Sequence, residues 1–318
     1  MKEIGGYLGL ESLVKNELYG DMIGVNNARN ALLYILKARK IKKLYIPYYL
    51  CDCVSGVCDR EGYSYEYYSV DEGFMPVFDK ALGEGEYLYV VNYYGQLDNE
   101  VIISLKEKHK NVICDNVQAF FQAPAQGIDT VYSCRKFFGV PDGGYVSTEK
   151  ILDEPLKDDF SRERMTHVLG RFETQKGSDF YKEFQENDRS FDTLALRAMS
   201  MLTRNIMGAI DYAAVKEARE RNFDVLDGML RQRNLLSIKR VDGPYAYPFY
   251  CENASSIRKK LIESKIFVPT LWPNSAECED EVARRYSQNI LPLPCDQRYD
   301  REDMIRVAGL VLELLDEN

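Results

Sequence analysis

Apolar positions follow two periods along this chain. Ala28, Leu32, Ile35 and Leu36 recur at helical spacing and predict a helix, and residues 101–109 repeat that period as an amphipathic one. Short runs at 43–47, 64–70 and 87–92 are rich in β-branched and aromatic residues and predict strands, and 111–115, 129–133 and 144–148 continue the series. Strands interleaved with helices predict a mainly parallel sheet covered on both faces, an α/β fold. From about 155 to 235 the texture turns charged and helix-favouring. Beyond it come a strand pair at 244–250, a helix at 255–265, a strand at 266–269 and an amphipathic terminal helix at 301–315, which together predict a smaller α+β domain. The expected division is a large α/β domain over 1–235, trailing its helical segment, and a small C-terminal domain over 236–318.

Composition narrows the function. With 318 residues, 45% of them hydrophobic, the chain can bury a sizeable core. A formal charge of -9 argues against a nucleic-acid partner, which selects a basic face. No stretch is long and apolar enough to span a bilayer, and the amino terminus lacks a basic-then-apolar leader, so a cytoplasmic location is expected. The eight cysteines then read as thiols. Cys51, Cys53 and Cys58 crowd together without a second ligand pair, and with only His109 and His167 in the chain no metal site is expected. The scarcity of histidine also weakens a Ser-His or Cys-His hydrolase.

Ligands of open parallel sheets collect at the carboxyl ends of strands, and chemistry-bearing residues fall there. Asp115 ends one strand and is followed by Asn116, Val117 and Gln118; Ser133 ends the next and is followed by Cys134, Arg135 and Lys136, with Gly143-Gly144 beyond. A lysine and a carboxylate at neighbouring strand ends suit a pyridoxal enzyme, the amine anchoring the aldehyde and the carboxylate keeping the pyridine nitrogen protonated. A turn-forming Asp and a solvated Lys would look the same. Asn26-Asn27-Ala28-Arg29-Asn30 opens the first helix, where free N–H groups suit a phosphate; Asn26 or Asn27 as an ordinary cap fits equally. Tyr93 and Tyr94 line a pocket or fill the sheet, and Arg135 binds an anionic substrate or pairs with a carboxylate. Gly5-Gly6-Tyr7 reads as a flexible amino-terminal strand or as part of the substrate rim, and 157–164 as a solvated helix face.

Taken together, these segments resemble the DegT/StrS-type sugar aminotransferases, and the likeness runs along most of the chain. The residues that carry it are Ala28-Arg29-Asn30-Ala31-Leu32 at the first helix, Asp115-Asn116-Val117-Gln118, Ser133 with Lys136 and Gly143-Gly144, and late segments at 266–269, 271–273 and 290–294. The resemblance implies the pyridoxal 5'-phosphate (PLP)-dependent transferase fold of type I. It implies Lys136 as the Schiff-base lysine and Asp115 and Gln118 at the ring. Ala28, Arg29, Asn30 and Ser133 fall at the phosphate. It further implies an amino-acid donor, glutamate, a nucleotide-linked keto-sugar acceptor for surface polysaccharide, and a homodimer. A sugar dehydratase or a non-catalytic binding relative are the alternatives, the first associated with a histidine in place of the lysine. The chain departs from the pattern at three places. Ser133 lies three residues before the lysine instead of five; the ring-stacking aromatic falls near Cys51, leaving Tyr48 or Tyr49 to replace it; and the asparagine donated across the dimer has no counterpart, Arg189 lying nearest.

Overall fold

The structure is a computed structural model that describes Ile4 and residues 6–317. Eleven elements build the amino-terminal half: β1 (Ile23–Val25), α1 (Ala28–Ala38), β2 (Lys43–Pro47), α2 (Asp52–Glu61), β3 (Ser64–Val70), β4 (Pro76–Val77), β5 (Glu86–Val91), α3 (Asn99–His109), β6 (Val112–Asp115), β7 (Asp129–Ser133) and β8 (Gly144–Ser147). The strands form one eight-stranded sheet in the order β1-β8-β7-β6-β5-β2-β3-β4. β3, β2, β5, β6 and β7 run parallel, while β8, β1 and the edge strand β4 are antiparallel to their neighbours. β6 and β7 are buried along their whole length, as strands covered on both faces must be. The chain winds from β2 to β3 on one side and resumes at β5 on the other. The carboxyl ends of β2, β5, β6 and β7 therefore stand side by side at the reversal, where crevices form.

α1 is buried from Asn30 to Leu36, because both the sheet and the helical segment after β8 cover it. That segment holds α4 (Thr166–Thr174), α5 (Tyr181–Ser190), α6 (Met201–Met207) and α7 (Tyr212–Leu230). The remainder contains β9 (Tyr247–Tyr250), α8 (Ala254–Glu263), α9 (Glu281–Asn289), β10 (Ile290–Leu293) and α10 (Arg301–Asp316). A second apolar core forms here around Phe223, Leu226 and Leu230 of α7, Tyr247, Phe249, Ile257, Leu291 and Val311. No helix of the described residues is long and apolar enough to cross a membrane.

Most of the expected elements are present within two residues, and four readings change. Residues 244–250 supply one strand, β9, whose partner is β10 rather than a neighbouring run; Pro248 faces Pro292 in the register, so that position lacks both N–H donors. Residues 266–269 have no strand partner. Gly5 lies outside the described residues, and Gly6 and Tyr7 are exposed without a strand. The 157–164 run is helical only at Arg162–Arg164 and solvated only in part: Lys157, Asp158, Phe160, Arg162 and Glu163 are exposed, but Asp159 is buried, and Arg164 donates to it at 2.7 Å and lies 3.7 Å from the fully buried Asp142.

Candidate active site

Asp115 and Lys136 owe their meeting to the parallel pairing of β6 and β7. Asp115 is 3% exposed at the end of β6. Its Oδ2 accepts from the Tyr89 hydroxyl at 2.6 Å and its Oδ1 from the Val117 N–H at 2.9 Å. Each carboxylate oxygen keeps a second lone pair, so a further donor can be accommodated. Burial pushes the Asp115 pKa up, while the Tyr89 and Val117 bonds and the charge of Lys136 pull against it. Three residues on, Gln118 accepts from the Tyr94 N–H at 2.8 Å through Oε1, leaving its buried Nε2 without a partner. An unsatisfied buried amide is costly and marks a place where a ligand oxygen fits.

Beyond β7 the chain turns tightly, Phe137 and Phe138 both donating to the Cys134 carbonyl, and presents Lys136. Its Nζ lies 5.5 Å above the Tyr245 ring, and among the described residues no hydrogen bond or ion pair engages it. The turn is gripped from behind by Arg219 of α7. This 1% exposed guanidinium donates to Phe137 O at 3.2 Å and Pro244 O at 2.8 Å and lies 4.5 Å from the Phe137 ring centroid; Gln297 Nε2 adds a bond to Phe137 O at 2.8 Å. One buried cation thus ties the lysine's turn to the segment that carries Tyr245.

The third wall is the start of α1. Asn27 caps it, its side chain accepting from the Asn30 N–H at 2.8 Å, and the first helical bond runs from Ala31 N to Asn27 O. The N–H groups of Ala28 and Arg29 precede that bond and are the orphan donors of a helix amino terminus. Gly143, with φ of 109°, donates to Asn26 O and accepts from Cys134 N, stitching the lysine turn to this helix. The Gly144 Cα sits so close that a Cβ there would lie 2.8 Å from Tyr132 O and 3.1 Å from Ala28 N. The Ser133 hydroxyl has no partner among the described residues. Unclaimed N–H groups, a free hydroxyl, an orphan amide, a buried carboxylate and an unpaired lysine form a donor set that fits PLP.

Several expected residues serve otherwise. The Arg29 guanidinium lies 3.7 Å from Asp188 and 3.3 Å from Asp192, so only its backbone faces the cradle. Asn30 turns inward, donating to Asn26, Leu194 and Ala195. Arg135 pairs with Asp188 at 2.9 Å. Tyr49 is fully buried, stacked 5.2 Å from Tyr93 with Trp272 at its edge, which leaves its ring no open face. Tyr48 stacks on Tyr67 and donates to Glu279. Tyr93 and Tyr94 are core residues at 1% exposure each. Arg189 is exposed and bonds only within its own helix. Cys51, the residue before α2, does feel the charge of Lys136. Sequence reasoning missed Arg219, Tyr245 and Gln297; the one legible signal was an arginine within the apolar stripe of α7.

A cavity of about 230 Å³ opens beside Lys136, lined also by Arg135, Arg171, Arg219, Arg298 and His167. A larger, open groove of about 760 Å³ between α7 and α10 is lined by none of these residues, and in it Arg240 pairs with both Glu220 and Asp224.

No family model and no curated protein matches the chain in sequence. Solved structures do match in shape. S. venezuelae DesV, solved in complex with a ketimine intermediate, superposes with a TM-score of 0.64 at 18% identity, over 92% of this chain and 84% of that one. The putative sugar aminotransferase Spr1654 from Streptococcus pneumoniae in its apo form gives 0.65 at 15% identity, covering 93% and 88%. A DegT DnrJ EryC1 StrS aminotransferase from Brucella abortus gives 0.61 at 14%, covering 92% and 85%. The chain has the sugar-aminotransferase fold. Within that fold the antiparallel β8 follows the Lys136 turn directly, so its glycine step and the α1 terminus form one wall of the crevice.

Proposed function

We propose that this chain is a PLP-dependent aminotransferase of the DegT/StrS type that moves an amino group from glutamate to the keto carbon of a nucleotide-linked sugar for surface polysaccharide. The observation that carries the reading is an unpaired Lys136 at the end of β7 beside the buried Asp115 at the end of β6. PLP, when bound, supplies an electron-withdrawing ring that stabilises negative charge on the carbon next to the transferred nitrogen. Lys136 would anchor it and, once freed, carry a proton to and from that carbon. Asp115 would hold the proton on the ring nitrogen, and Gln118 would donate Nε2 to a ring oxygen. The Ala28 and Arg29 N–H groups and the Ser133 hydroxyl would hold the phosphate. Cys51 would border the ring, while Asn30 and Tyr49 support from the surrounding core.

The finer reading of the acceptor rests on charge. In a chain of net charge -9, a cavity lined by Lys136 and four arginines favours an anionic substrate. Of these arginines, Arg135 and Arg298 pair with Asp188 and Asp296 and Arg219 donates to backbone carbonyls, whereas Arg171 has no ion-pair partner among the described residues. The enzyme acts in the cytoplasm as a homodimer.

The test is a visible absorption spectrum of wild type and Lys136→Ala incubated with PLP, then with glutamate. The expected wild-type band shifts with glutamate and is missing from the mutant, and turnover falls by about 10³-fold or more. A band that glutamate leaves unmoved overturns the donor; no band in wild type overturns the enzyme.

A further inference from the structure

Two buried carboxylates near the start of α1 take no part in the chemistry described so far. Asp142 is fully buried and Asp159 is 8% exposed, and a carboxylate is seldom buried without partners. Asp142 immediately precedes the glycine step. Its Oδ1 accepts from the Ser200 hydroxyl at 2.9 Å and from the Thr203 hydroxyl, and its Oδ2 accepts from the Ser200 N–H at 3.1 Å. Asp159 instead serves the entry to α1, its Oδ2 accepting from the fully buried Asn26 side chain at 3.3 Å.

One guanidinium spans the two. Arg164 Nη2 donates to Asp159 Oδ2 at 2.7 Å and lies 3.7 Å from Asp142 Oδ2. The backbone closes the circuit, because the Gly143 N–H donates to Asn26 O at 2.9 Å. Gly143, Asp142, Arg164, Asp159 and Asn26 therefore form a loop of contacts that returns to its start. Gly143, at φ of 109°, has no side chain to anchor it, so its place is set by the residues on either side. Both ends of the circuit lead to the site: the Gly143 carbonyl accepts from Cys134 N at 3.1 Å at the base of the lysine turn, and Asn27, next to Asn26, caps α1.

We propose, on the PLP reading above, that Asp142 and Arg164 are positioning residues for the wall that would hold the phosphate. Through this circuit they keep the glycine step and the start of α1 at the spacing that aims the Ala28 and Arg29 N–H groups at a phosphate. Neither side chain is itself a donor of the cradle. A guanidinium suits the bridge because its planar fork presents fixed donors to two carboxylates at once, which a single ammonium does not. Charge-assisted bonds from backbone N–H groups to a phosphate depend on distance and angle, so slack in the circuit costs phosphate binding first. Contacts to the aldehyde and the pyridine ring come from Lys136, Asp115 and Gln118, outside the circuit, and are left in place.

The test compares the binding of PLP with that of pyridoxal, which has the same aldehyde and ring but no phosphate, by absorption titration of the full chain. Asp142→Asn keeps the shape and drops the charge, and Arg164→Lys keeps the charge and loses the fork. Ser200→Ala removes only one hydroxyl from Asp142 and is the milder variant should either of the others fail to fold, which urea unfolding checks first. Wild type is expected to prefer PLP. Each variant is expected to lose about tenfold or more of its PLP affinity while its pyridoxal affinity stays within about twofold. General loosening of the fold would weaken both aldehydes alike, so affinities that fall together overturn the proposal. Variants that keep the wild-type preference, or a wild type that shows none, overturn it as well. A wild type that binds neither aldehyde sinks the PLP reading itself, whereas a preference retained in the variants sinks only the role of Asp142 and Arg164.

Discussion

At the scale of single residues, Asp115 shows what burying a carboxylate at the proposed site does to stability. Burial raises its pKa, so in the cofactor-free protein ionisation works against the fold. A group whose folded pKa is raised contributes most stability below its unfolded value of about 3.9 and loses it as pH rises through the folded value. Asp115→Asn does not titrate. Thermal melts of the cofactor-free wild type and mutant are therefore expected to show a difference that moves in favour of asparagine between pH 4 and pH 7. A difference that does not change with pH would sink the argument. With PLP bound the order inverts, because the neutral amide does not hold the ring proton, and turnover is expected to drop by about 10²-fold or more. Asp115 and Lys136 were legible because strand ends can be read from sequence. Arg219 was not, since nothing local says that an arginine in α7 reaches the carbonyl of Phe137, a bond spanning 82 residues.

At the scale of elements, the contact between the glycine step and α1 governs the wall proposed to hold the phosphate. Gly144→Ala would drive a Cβ against three backbone atoms, Tyr132 O at 2.8 Å, Asn27 C at 3.0 Å and Ala28 N at 3.1 Å. Backbone cannot swing aside as a side chain does, so the expected cost is about 1–3 kcal/mol in urea unfolding, with weakened PLP binding alongside. A mutant that unfolds and binds like wild type would show that the two elements are not locked. The same scale explains the misread strands. Residues 244–250 and 266–269 carry the apolar and aromatic composition of strands, yet a strand exists only where a partner offers its backbone. β9 finds that partner in β10 and 266–269 finds none.

At the scale of the whole molecule, the apolar core falls into three clusters, and α7 joins two of them, with Tyr212 packed in the cluster of Phe137 and Phe138. Arg219 reaches the Lys136 turn, and Phe223, Leu226 and Leu230 on the same helix fill the second core. Phe223 is 1% exposed, and Phe223→Ala is expected to cost about 3–5 kcal/mol in urea unfolding, a loss that near-wild-type stability would contradict. Association belongs to this scale as well. α4 and α5 expose Leu169, Phe172, Tyr181 and Phe184, at 42–77% of their surface, with Arg135 over the Phe184 ring. Light scattering is expected to give twice the 36.7 kDa of one chain, and a monomer would remove the homodimer from the proposal.

The sequence by itself determined the alternation of strands and helices, a cap at Asn26 or Asn27, the strand-end positions of Asp115 and Lys136, and the glycine step behind the lysine. Each is set by periodicity or by a residue's own conformational preference, which neighbours in the chain suffice to specify. The tertiary structure alone decided which groups remain unpaired. It bound the Arg29 and Arg135 side chains to Asp188, enclosed Tyr49 in aromatic packing, buried Asp159 against Arg164, and left Lys136, Ser133 and Gln118 Nε2 without partners. Whether a polar group is satisfied depends on what the fold brings within hydrogen-bonding distance, and local sequence does not encode that distance.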